Sequence, residues 1–382
     1  MKRGTKVKLT QVAFVCLFWV VISAIKVIYD FLMSQIMTRQ DYQYDLLTDI
    51  YTSLVAVVLA GFLGATTIVF LLKNIYKYFP LWQALLISAI SITTIIIVVS
   101  FPAAMFYTSS IENLPFLHEE TISSAFAFYL RPDFLLVLLI WVSVSMLSLI
   151  FLQVNDRYGH GVLLEVLAGK YYRPRREKRI FMFLDMKSST SIAETLGDIQ
   201  YFRLLNDLYS QLNDIITEHY GEIYQYVGDE IVVTWRLNSG VKKARCVECF
   251  FQVEEILARL SNEYYSSYGY RPEFKAAIHC GVVTAGEVGT VKKDIIYTGD
   301  VLNTTSRILE CCNQFKVKLI ISGHLLDLLD LPVRYKATDL GTFKFRGKQK
   351  EVPISTIMHN ENRVKQKHRS MWRKVARKIK TR

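Results

Sequence analysis

The chain predicts two modules of different class: an α-helical membrane domain with about four transmembrane helices, followed by an α+β domain of ferredoxin-like type. Two observations carry this expectation. Long apolar stretches dominate the 382-residue chain up to about residue 153, and the remainder has a mixed, globular composition. That remainder runs strand, helix, hairpin, helix, strand, the βαββαβ order of a ferredoxin-like sheet. The expected modules are a membrane domain over 1–153, a juxtamembrane linker or transducer over 154–174, the α+β domain over 175–358 and a basic tail over 359–382.

The spans fall at about 10–33, 50–73, 83–107 and 134–153. Each is near or above the ~20 apolar residues that cross a bilayer. The first is interrupted by Lys26 and Asp30, four apart on one helical face, where an ion pair and an interfacial aspartate are both admissible. Its basic start also suits a signal peptide, but no small-residue cleavage site follows, so a retained helix is expected. Lysine and arginine crowd the N-terminus, Lys73–Lys77 and the region after the last span, whereas acids crowd the loops at 34–49 and 108–133. The positive-inside rule then puts both termini and the α+β domain in the cytoplasm, with the spans in the inner (plasma) membrane.

The net charge of +12 is concentrated in the tail. A basic tail on a membrane-tethered chain is expected at anionic lipid or solvated in water. Features of nucleic-acid recognition are missing, and no nucleic-acid partner is expected. Of six cysteines, Cys246 and Cys249 form a lone CxxC and Cys311–Cys312 are adjacent. Without a second ligand pair at zinc spacing, buried reduced thiols are expected.

After the membrane, a short helix broken by Gly169 leads to a turn at Pro174. A strand over 180–185 precedes a helix over about 191–219, whose stripe comprises Ile192, Leu196, Phe202, Leu205, Leu208, Leu212 and Ile216. A hairpin over 222–236 follows, then a helix over about 240–265 and strands at 273–283 and 294–297. The chain ends with a helix over 302–312, a strand over 317–322 and a hairpin at about 335–346 and 351–358.

Two aspartates stand at the ends of β-favouring runs: Asp185, closing Arg179–Asp185, and Asp229, in the Gly228–Asp229 turn of the hairpin. Met186–Ser191 forms a polar turn into a helix, so Ser188, Ser189 and Thr190 sit where free N–H groups and the positive dipole end can meet phosphate. Hard Mg²⁺ takes one or two protein carboxylates plus substrate phosphates. Turn aspartates also serve as plain caps, and position alone leaves both readings open.

Three blocks, Phe183–Thr190, Tyr226–Glu230 and Tyr297–Arg307, in this order and spacing, resemble a class III nucleotidyl cyclase, the adenylate/guanylate cyclase catalytic domain. The resemblance covers about 175–357. It implies that Asp185 and Asp229 bind two Mg²⁺ or Mn²⁺ ions per site, with the Met186 carbonyl as a backbone ligand. It implies that Asn303 orients the ribose, that Arg307 stabilises the transition state, and that both come from the partner of a homodimer. Arg346 falls where the family has a triphosphate-binding lysine, with Lys348 as a further helper. The implied reaction is attack of the ribose 3′-hydroxyl on the α-phosphorus of ATP or GTP, giving a 3′,5′-cyclic monophosphate and pyrophosphate.

The positions that choose the purine in that family fall on Gln225 and Ile296, outside its usual residue types. Gln presents donor and acceptor alike, and ATP is favoured over GTP on general frequency alone. Two rivals are kept: a GGDEF-type diguanylate cyclase, because Val227–Ile231 resembles that signature, and a degenerate cyclase-like membrane receptor or interaction module.

Overall fold

The computed structural model describes residues 3–36, 46–72, 79–158, 162–345 and 351–360, which fall into two compact units, Met1–His160 and Gly161–Arg382. The first unit contains α1 (Arg3–Ile36), α2 (Leu46–Thr66, running into a π-helical segment Thr67–Leu72), α3 (Leu81–Glu112), α4 (Glu119–Tyr129) and α5 (Pro132–Tyr158). Four stretches, Gly4–Met33, Ile50–Leu71, Trp82–Glu112 and Phe134–Asn155, are long and apolar enough to cross a membrane. Their outward side chains are apolar too, with Leu17, Leu59, Ile90 and Leu136 exposed, as befits helices immersed in lipid.

Trp19 joins α1 to α5. Its Nε1 donates to Ser148 Oγ at 3.1 Å and its ring centroid lies 5.8 Å from that of Trp141. Such an interhelical hydrogen bond contributes about 0.6 kcal/mol in a bilayer. Lys26 and Asp30 do form an ion pair. Helix α4 lies where a loop is expected from the sequence. His118 caps it by accepting from the Glu120 amide, and Glu119 and Glu120 face the positive dipole end. Its Phe126 ring packs 5.0 Å from Phe101. A single helix turn of acids and a few aromatics leaves too short a periodic signal to read.

The second unit begins with α6 (Val162–Leu167) and the central strand β1 (Arg175–Met186). It continues through α7 (Ser189–Leu196), α8 (Asp198–Glu218), β2 (Glu222–Val227) and β3 (Glu230–Arg236). A short helix α9 (Leu237–Val241) and the long α10 (Arg245–Tyr268) lead to β4 (Phe274–Val288) and β5 (Asp294–Thr298). Then come α11 (Asp300–Phe315), β6 (Leu319–Ser322), α12 (Gly323–Leu326), β7 (Tyr335–Phe343) and β8 (Val352–His359). The sheet order is β2-β3-β1-β4-β6-β8-β7, with β5 on β4. Its first four strands are all antiparallel, the ferredoxin-like core; β6 adds parallel to β4.

Helices cover both faces. Ile180, Met182 and Leu184 of β1 meet Leu204, Leu208 and Leu212 of α8 and Phe250 of α10. Phe181 and Phe183 meet Ile308 and Leu309 of α11. The helix expected over 191–219 is two helices, because Gly197 adopts φ +73° between them. The break changes the phase of the stripe, so Phe202 is exposed and Leu204 takes the buried place. Strand β1 begins at Arg175, since its charged first residues pair with β4 without entering the core. Among the described residues the cysteines are all free and all but Cys16 are buried; burial pushes the Cys246 thiol up to about 12.

Among the described residues of this unit an arginine is fully buried. Arg179 is 1% exposed. It donates from Nη1 to Glu222 at 2.7 Å, from Nε to Glu177 at 2.9 Å and from Nη2 to the Tyr171 hydroxyl at 3.4 Å. Its guanidinium also stacks 4.6 Å from the Tyr297 ring centroid. Removing one partner of such a network strands the others. Arg179→Ala is therefore expected to cost about 3 kcal/mol of stability, measured by denaturant unfolding of the purified protein. A loss below about 1 kcal/mol, the scale of a surface ion pair, would show that the network contributes little.

Candidate active site

Register places the acids. In the β1 ladders Asp185 lies opposite Glu230 on β3 and opposite Lys275 on β4. Val227 pairs with Glu230, so Gly228 and Asp229 form a two-residue turn beside that end of the sheet, with Gly228 at φ +62°. Two strand ends thus deliver two carboxylates to one spot, where burial and then the neighbouring Asp229 raise the Asp185 carboxyl.

Lys275 Nζ lies 2.9 Å from Asp185 Oδ2 and donates to Asn313 Oδ1 at 3.3 Å. Burial raises the Asp185 carboxyl above the usual carboxylate range; Lys275 opposes the rise and the neighbouring Asp229 adds to it. Glu230 is pushed up to about 7, by burial first and then by the charges of Asp185 and Asp229. Tyr209 of α8 donates to the Gly228 carbonyl at 2.6 Å, and burial followed by the charge of Asp229 raises the Tyr201 hydroxyl of the same helix.

The other expected residues are distributed around this pair. Met186 is buried at the end of β1. Ser188, in the left-handed conformation at φ +58°, begins α7 without a side-chain cap, with Ser189 and Thr190 in its first turn. Asn303 and Arg307 are exposed together on α11, and Arg307 Nη1 lies 2.9 Å from Glu310 Oε1. No described contact joins either of them to Asp185 or Asp229 within the one chain. Gln225 is exposed on edge strand β2, beside a bulge between Ile223 and Gln225. Ile296 is half-buried on β5, and the Tyr297 amide next to it donates to the Tyr224 hydroxyl at 3.3 Å, which brings β5 against β2. Arg346, Lys348 and the tail beyond residue 360 lie outside the described residues.

The donor set suits a hard divalent cation. Two crowded, half-buried carboxylates repel each other, and bound positive charge relieves that repulsion. Among the described residues no third His, Cys, Asp or Glu completes a protein-only cage. Two carboxylates fit a Mg²⁺-type ion, which takes its remaining ligands from substrate phosphates and water.

Residues 172–358 match the family described as the adenylate and guanylate cyclase catalytic domain. The second unit carries an adenylate/guanylate cyclase catalytic domain. Over 206 residues the chain is 34% identical to adenylate cyclase 2 of Rhizobium meliloti, covering 54% of this chain and 57% of that protein. It is 27% identical over 191 residues to adenylate cyclase 1 of the same organism, covering 48% and 28%. The chain thus spans about half or less of these relatives' lengths. A solved bacterial light-regulated adenylyl cyclase is 19% identical, covers 57% of this chain and 63% of its own, and has a TM-score of 0.48.

Within the cyclase domain, Lys275, Glu230 and Tyr209 escaped sequence reading. Lys275 is one lysine at a strand start, and only the β1–β4 register reveals its partner. The four-residue spacing of Tyr201, Leu205, Tyr209 and Asn213 on α8 was visible, but its target across the fold was not.

Because the folded-state pKa of Glu230 is raised, its ionisation opposes folding. The stability it contributes is present below its unfolded pKa near 4.5 and is lost as pH rises through about 7. Glu230→Gln is expected to raise the metal-free melting temperature at pH 8 and to leave it unchanged near pH 4.5. Equal shifts at both pH values would contradict this account.

Proposed function

We propose that the chain is a membrane-bound nucleotidyl cyclase, acting as a homodimer with shared sites. It converts a purine nucleoside triphosphate, ATP in preference to GTP, to the 3′,5′-cyclic monophosphate and pyrophosphate. The observation that carries this reading is the Asp185–Asp229 carboxylate pair, set at the end of β1 within a cyclase domain. Asn303 and Arg307 stand exposed on α11, available to a second copy.

Asp185 and Asp229 would hold Mg²⁺ or Mn²⁺, two per site, and the bound charge would supply a lowered 3′-hydroxyl pKa and neutralisation of the triphosphate. Lys275, held between Asp185 and Asn313, adds a cation where the phosphates arrive. The uncapped amides of α7 beside Ser188, Ser189 and Thr190 face the same anion. Arg307 exchanges Glu310 for the α-phosphate and offsets the charge that develops there, while Asn303, one turn earlier, orients the ribose. Arg346 and Lys348 join the triphosphate contacts. Gln225 of β2 and Ile296 of β5 face the base. Adenine is supported by the naming of the 34%-identical relative as an adenylate cyclase. The Lys/Arg asymmetry supports a multi-pass inner-membrane protein with the cyclase domain and both termini cytoplasmic.

Membranes carrying the protein, given ATP or GTP with Mg²⁺ or Mn²⁺, are expected to form cyclic AMP as the main product. Cyclic di-GMP from GTP would overturn the assignment. Asp185→Ala and Arg307→Ala are each expected to lower turnover by at least about 100-fold. Co-expressed, they should recover part of it, because one of the two mixed sites is intact. Two inactive variants with no recovery in the mixture would contradict the shared site.

A further inference from the structure

The turn that carries Asp229 needs an external restraint. It joins β3 to β2, the edge strand of the sheet, and its first residue is glycine, the most conformationally free of all. Gln225, Tyr226, Val227 and Gly228 are all exposed. The restraint comes from α8. Tyr209 donates to the Gly228 carbonyl at 2.6 Å, and its ring stacks on Tyr226 with centroids 4.6 Å apart and planes 22° apart. One helical turn on, Asn213 Oδ1 accepts from the Tyr226 hydroxyl at 2.7 Å.

The Gly228 carbonyl and the Asp229 amide belong to one rigid peptide plane. Holding that carbonyl therefore sets the plane from which the Asp229 side chain departs. Tyr226 steadies the strand behind it, and among the described residues the Tyr209 hydroxyl is the side-chain group that hydrogen-bonds the peptide adjoining Asp229.

We propose that Tyr209 is a positioning residue that aims the Asp229 carboxylate at the divalent cation. This rests on the reading of Asp185 and Asp229 as the metal site. A purely structural tyrosine would lose stability on substitution and leave cation affinity alone. Tyr209→Phe keeps the ring, the stacking and the burial and removes only the hydroxyl.

The test uses the full chain in detergent, without nucleotide. Mn²⁺ binding is followed by the electron paramagnetic resonance of the free ion, and cyclase activity is titrated with Mn²⁺ in parallel. Tyr209→Phe is expected to weaken Mn²⁺ binding about five-fold, the scale of one lost hydrogen bond. The Mn²⁺ midpoint of activity should shift equally, with turnover at saturating Mn²⁺ changed less than about two-fold. Tyr226→Phe, which removes the Asn213 bond but leaves the Gly228 carbonyl bonded, should stay within about two-fold of the parent by the same reasoning. Unchanged Mn²⁺ binding in Tyr209→Phe, with binding lost in Asp185→Ala, would overturn the role of Tyr209 alone. Unchanged binding in Asp185→Ala would overturn the metal-site reading, and the proposal with it.

Discussion

The antiparallel pairing of β1 on both sides is the constraint from which the second unit takes its form. Its register with β4 runs from Arg175 to Met186 and with β3 from Arg179 to Asp185. Asp185, Glu230 and Lys275 stand in one row because both ladders are in step. A slip of one residue would turn Ile180, Met182 and Leu184 away from α8 and carry Asp185 to the opposite face. Burial on both faces makes such a slip costly, so the packing of the core and the placement of the acids are one requirement.

Arg179 extends this dependence to the elements around the strand. Burying a guanidinium is tolerable only because Glu177, Glu222, the Tyr171 hydroxyl and the Tyr297 ring all meet it. Those partners come from β1 itself, from β2, from the segment following α6 and from β5. Glu165 of α6 joins the same region through Lys170, the Tyr171 hydroxyl and Arg236. The segment read from the sequence as a linker or transducer is thus packed into the domain by specific charges.

Local sequence carried most of the architecture. The apolar runs disclosed four membrane-length helices, and the alternation from strand to helix to hairpin disclosed the ferredoxin-like order. Asp185 and Asp229 were legible because each closes a β-favouring run beside a turn. Legibility failed where meaning depends on register or phase. Gly197 splits a helix that its apolar residues make look continuous, and Phe202 then faces solvent. Lys275 and Glu230 acquire significance only when three strands align. Tyr209 bonds a backbone carbonyl, which no side-chain pattern records. Asn303 and Arg307 were legible through family blocks, since four-residue spacing on an exposed helix face has many innocent causes.

The two carboxylates are held in different ways at one end of the sheet. Asp185 continues the alternation of Phe181 and Phe183 towards the α11 side, whereas the turn bearing Asp229 is gripped by α8 on the other side. The ladders fix the first carboxylate from both flanks, while a side-chain grip from one helix steadies the turn that bears the second. Substitutions on α8 therefore bear on Asp229 first, and substitutions that disturb the β3 or β4 pairing bear on Asp185.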